Sequence, residues 1–173
     1  MIDYFKNLIK TQFTIHFFVA GIVCMIVSIF YEREIFTYMT FISFFTVFDV
    51  VGYGNMIHLT QSWDDEKIVV PYRIMQNFFM IMIFIVVYFY TGWICLLACV
   101  LGWWMGGCDL LYYITLRNKL PDEDYWWMKG WSVWIIITWI KKLLLIDEYI
   151  SRTEFAVVCS IGLAIGGVVV YLF

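Results

Sequence analysis

The chain has 173 residues, 64% hydrophobic and only 14% charged, with a mean hydropathy of +0.84. That excludes an ordinary soluble domain and leaves, at this length, room for a single membrane domain with little outside it. A formal net charge of −3 provides no basic surface, so nucleic acid is not an expected partner.

Beyond Lys6 and Lys10, an apolar run over 13–30 is longer than a signal-peptide core and lacks a small-residue cleavage site, so it reads as a retained first span. His16 lies near its start and reads as a hydrogen-bonded residue rather than a metal ligand. The charged turn at 31–34 leads into a second span over 35–60, with Asp49 near its middle. A polar loop follows, and Pro71 marks the expected start of a third span over 71–90, because proline is tolerated in the first helical turn. Thr91 and Gly92 are too short a link for anything but antiparallel neighbours, so a fourth span runs back over 93–116. A polar segment with Pro121 precedes a fifth span over 125–145, and a last loop precedes a sixth over 154–173. The expected fold is therefore an all-α integral membrane protein, a six-transmembrane-helix bundle forming a single membrane domain over 1–173.

Orientation follows from the cations of alternate loops. Lys6, Lys10, Lys67, Arg73, Arg117, Lys119 and Lys129 fall on the N-terminal side, against Arg33, Lys141, Lys142 and Arg152 on the other. Both termini are thus expected in the cytoplasm. The tryptophans at 63, 93, 103, 104, 126 and 127 suit interfacial belts. All five cysteines lie inside apolar runs and read as small buried hydrophobes. No metal site and no motif for a nucleotide, haem or iron–sulfur cofactor is present.

Two ionisable side chains lie deepest in the spans, Asp49 and Asp109. An aspartate at mid-membrane costs about 2.5–3.5 kcal/mol on insertion scales, so something must offset it. Gly102, Gly106, Asp109 and Tyr113 fall on one stripe at helical spacing, which admits a close neighbouring helix and turns the carboxylate into the contact. Each aspartate has a tyrosine four residues on, Tyr53 and Tyr113, within one turn on the same face. Both aspartates belong to the inner halves of their spans, so they are expected to share one cavity. Tyr112, Asn55, His58, Gln76 and Asn77 are nearby candidates, and Trp127, Trp131 and Trp134 share a stripe that adds an aromatic wall. Gly102 with Gly106, and Gly162 with Gly166, read as intrachain packing motifs, with a homodimer or complex face as the alternative.

Residues 51–55, VGYGN, resemble the selectivity filter of potassium channels, although Val50 stands where that family usually has threonine. The resemblance implies a re-entrant second segment whose backbone carbonyls replace an ion's water shell. It leaves five crossings and places five cations inside against six outside, which the charge rule disfavours. The acid-then-tyrosine pattern in a Trp-, Phe- and Tyr-rich six-helix domain is similar to membrane terpene cyclases and sterol-isomerase-like proteins. That implies acid–base chemistry on a lipid or isoprenoid, with Asp49 or Asp109 as general acid and aromatic faces beside a cationic intermediate. Six spans in so short a chain also resemble, in size, the substrate-capture components of vitamin importers. That implies a transporter or binding subunit for a small hydrophobic or cationic ligand. A structural subunit of a membrane complex is the third class, with membrane lipids as its neighbours.

Overall fold

The computed structural model describes residues 12–31, 34–60, 66–115, 134–146 and 150–173. Among them the chain forms α1 (Gln12–Tyr31), α2 (Glu34–Thr60), α3 (Glu66–Thr91), α4 (Trp93–Trp104), α5 (Gly107–Thr115), α6 (Trp134–Leu143) and α7 (Arg152–Leu172). Three stretches are long and apolar enough to cross a membrane: Glu34–Gly52, Val70–Thr91 and Arg152–Leu172. Ile15–Tyr31 and Trp93–Trp104 are shorter apolar helices.

The exterior is apolar where a soluble bundle would be polar. On the outside, α3 presents Phe78, Val86 and Phe89, the last 82% exposed, while Asp49, Thr46, Ser43 and Gln76 are buried. α2 is the central element: α1 lies along it, and α3, α4, α5 and α7 all touch it. The core gathers Phe41 and Phe45 of α2, Met80 of α3, Cys95, Ala98 and Cys99 of α4, and Cys108 of α5. The five cysteines are all buried and unpaired.

α4 and α7 pack against each other through missing side chains. A Cβ on Gly162 would collide with Met105, and one on Gly166 with the Tyr38 hydroxyl and, at 2.9 Å, the Ala98 carbonyl. Tyr38 of α2 reaches into this seam, where its hydroxyl donates to the Leu163 carbonyl at 3.0 Å. Gly102 completes the passage: a Cβ there would stand 2.7 Å from the same hydroxyl. These glycines are therefore occupied by contacts within the chain.

Four expectations need correcting. The stretch over 93–116 is two helices, because Met105 and Gly106 form a turn between α4 and α5. Gly106 sits at φ 81, a left-handed conformation that an L side chain resists, so the proposed stripe from Gly102 to Tyr113 is interrupted. α3 begins at Glu66, with Pro71 inside it; this early in the helix the ring removes one carbonyl partner without ending the ladder. VGYGN lies wholly within α2. Its carbonyls serve the helical ladder, whereas a selectivity filter needs them turned toward an ion. Finally, α6 ends at Leu143 rather than 145. Leu145 adopts φ 55, its N–H bonding the Lys142 carbonyl and that of Ile146 the Lys141 carbonyl, a Schellman closure made without glycine. Lys141 then pairs with Glu154 at 2.7 Å, and Glu154 closes a capping box with Ser151 that starts α7.

Gly106→Ala tests the break between α4 and α5. The left-handed backbone alone costs about 1–2 kcal/mol with a Cβ. That Cβ would also press on the Cys159 sulfur at 3.0 Å. Unfolding in detergent is expected to show a loss of about 2 kcal/mol; a loss near zero would mean that the turn tolerates a right-handed residue.

Candidate functional site

Where α2, α3 and α5 meet, five polar side chains form one network. Tyr72 and Gln76 stand one turn apart on α3, so both face α2. Tyr72 donates its hydroxyl to Asp49 Oδ1 at 2.7 Å, and Gln76 donates Nε2 to the same oxygen at 2.6 Å. Gly52 makes this approach feasible, since a Cβ there would stand 3.2 Å from the Tyr72 ring. Arg73 donates to Gln76 Oε1 at 2.6 Å and to Asp109 Oδ1 at 3.3 Å. The two aspartates thus end in a single network, joined through Gln76 and Arg73.

Burial separates the roles within it. Asp49, Tyr72 and Gln76 are 4%, 3% and 1% exposed. The Arg73 and Asp109 side chains are 16% and 24% exposed, so the ion pair forms the accessible rim. Among the described side chains here, the network holds two carboxylates and one guanidinium, which touches Asp109 directly and Asp49 only through Gln76. In apolar surroundings, where an uncompensated charge is costly, that set is neutral only when it also holds one proton.

Beside the network, α1, α2 and α3 line a half-open apolar pocket of about 580 Å³, within the range of about 300–1,000 Å³ usual for small-molecule sites. Phe48, which precedes Asp49, and Phe79, one turn beyond Gln76, line it with ring centroids 5.4 Å apart. Elsewhere in its wall Ser28 and Thr37 hydrogen-bond each other at 2.6 Å, so the cavity offers hydrocarbon surface and little else.

Of the residues singled out from sequence, Asp49, Asp109 and Gln76 come together in the network. Tyr112 is buried on α5, and Trp134 is buried against α7, where it stacks on Phe155 at 5.7 Å. The backbone at Tyr53, Asn55, His58 and Tyr113 is helical, but their side chains, like Trp127 and Trp131 altogether, lie outside the described residues. The two expected aspartate–tyrosine pairs within a helix fall there too. Sequence reasoning missed Tyr72 and Arg73. The charge count reads Arg73 only as a loop cation, although a Tyr, an Arg and a Gln at 72, 73 and 76 inside an apolar helix are themselves a polar stripe. Comparisons with protein families, curated proteins and solved structures find no match for this chain.

Proposed function

We propose that this is an integral membrane protein of six crossings, with both termini cytoplasmic, that takes a lipid or isoprenoid substrate from the bilayer and acts on it by acid–base chemistry. Support for insertion comes from the three long apolar helices and from an apolar exterior with the charged network kept inside. The broken α4–α5 pair counts as one crossing, and α1 and the span expected over 125–145 as two more. A reporter fused to the C-terminus is expected on the same side as one fused to the N-terminus; opposite sides would remove one crossing.

The observation that carries the chemistry is one network, in which Asp109 pairs with Arg73 and Asp49 is joined to them through Gln76, beside a hydrocarbon-lined pocket. The cavity holds the apolar chain of the substrate. Asp109, at the accessible rim, is the carboxylate that exchanges a proton with it. Asp49 is a positioning residue: through Gln76 it fixes where Arg73, and therefore Asp109, can stand. The test is turnover in phosphatidylcholine vesicles doped with isoprenoid alcohols or unsaturated fatty acids, followed by mass spectrometry. Conversion by the wild type that is lost in Asp109→Asn supports the reading. Unaltered lipids in every mixture would overturn it. The same excess carboxylate favours a second reading, a proton-coupled carrier or binding subunit, which proton uptake accompanying solute entry would support.

A further inference from the structure

A second set of polar groups lies near the other oxygen of Asp109. Trp134 is 2% exposed, and its indole Nε1 is buried with no hydrogen-bond partner among the described residues; the Thr138 hydroxyl, one turn on along α6, is buried and without a partner among them as well. Two such orphans one turn apart on one helix face are unusual, because native folds pair nearly all buried polar atoms. Gly106 marks what the indole faces. The point where its side chain would begin lies 3.6 Å from Trp134 Nε1 and 3.7 Å from Asp109 Oδ2, with the Cys159 sulfur behind at 3.0 Å. Asp109 therefore has one oxygen on Arg73 and the other beside an unused donor.

We infer that Trp134, Thr138 and Asp109 bind the hydroxyl group of an alcohol-headed amphiphile. An indole N–H requires an acceptor and an ionised carboxylate requires a donor. A hydroxyl answers both with one atom. A carbonyl gives Asp109 nothing, an ammonium gives Trp134 nothing, and a phosphate is repelled by the carboxylate. Thr138 can serve in either role one turn away. Having no side chain, Gly106 lets the indole and the carboxylate approach one point. This deepens the proposed function by naming the head group, and it rests on that reading only for the claim that the group bound is also the group acted upon. Water has the same donor and acceptor chemistry, and the experiment separates the two sources.

Thermal unfolding in maltoside micelles would be compared with 1-dodecanol or dodecane added at equal mole fraction, since the two differ only in the hydroxyl. The wild type is expected to gain stability from dodecanol beyond that from dodecane. Trp134→Phe keeps the ring on Phe155 and removes only the N–H. It is expected to weaken the response to dodecanol about tenfold, the scale of one hydrogen bond, while unfolding no earlier than the wild type without alcohol. Thr138→Val is expected to weaken the same response. Equal shifts from dodecanol and dodecane in the wild type would mean that water alone occupies the site, and would overturn the inference. So would a Trp134→Phe protein that fails to fold without alcohol, because the N–H would then have a structural partner. Turnover plays no part in this comparison. Selective response to dodecanol without lipid conversion would keep the site and discard the enzyme.

Discussion

Arg73→Met is expected to destabilise the folded protein by about 3 kcal/mol, the lower end of what removing one partner from a buried ionic cluster costs. The lower end applies because Arg73 and Asp109 keep 16% and 24% of their side-chain surface exposed, so solvent screens part of the loss. The mechanism is less the lost attraction than the two carboxylates left without a cation. Gln76 also loses the donor to its Oε1. A charge-removing control separates these effects. Adding Asp49→Asn and Asp109→Asn to Arg73→Met removes the unpaired charges while keeping side-chain volume, and should restore most of the stability. Denaturant unfolding in detergent measures both. A loss below about 1 kcal/mol for Arg73→Met would place the cluster in the weak class of solvent-exposed pairs.

Asp109→Asn should behave in the opposite way, leaving the fold close to wild type and reducing turnover by about 10²–10⁴, the usual contribution of a general acid–base group. The amide keeps the size of the carboxylate, and its oxygen can still accept from Arg73 at the present 3.3 Å. What it loses is the ability to ionise. Asp109→Ala is a poorer probe, because it also opens a void and strips Arg73 of a partner. Turnover unchanged in Asp109→Asn would assign the residue to helix packing. A protein that no longer folds would do the same, for the amide replaces every contact except the charge.

The helices of this protein are written plainly in its sequence, since long apolar runs interrupted by charged turns admit few alternatives. The errors cluster where local chemistry competes with that pattern. Residues 106 and 107 are consecutive glycines, and a small-residue stripe is only one of their uses; the left-handed turn at Gly106 is another, and it won because α5 packs against both α2 and α7. Ser151 and Glu154 formed a legible capping box that would have fixed the start of α7. At the site, Asp49 and Asp109 stood out because a lone acid in an apolar span is costly. Arg73 did not, because a cation near the end of a span ordinarily reads as an interfacial charge. Hydrophobic periodicity says which face of a helix is apolar; Tyr72 and Gln76 share a face in the expected span as in α3, but which neighbouring helix that face meets is not written in the pattern. The approach of Trp134 to Asp109 around Gly106 was beyond reach altogether, as it exists only through the meeting of α5 and α6.

The hydroxyl of Tyr38, threaded between Gly102 and Gly166 and bonded to Leu163, also acts as a ruler. Eleven residues separate Tyr38 from Asp49, three helical turns, which places both on one side of α2 about 16 Å apart. A central helix pinned at one end in a tight glycine slot cannot slide by a residue without turning its far end through about 100°. That rotation would carry the carboxylate off Tyr72 and Gln76. The depth of the acid in this protein is thus gauged from the opposite end of the bundle, and a change in the glycine slot reaches the network without touching it.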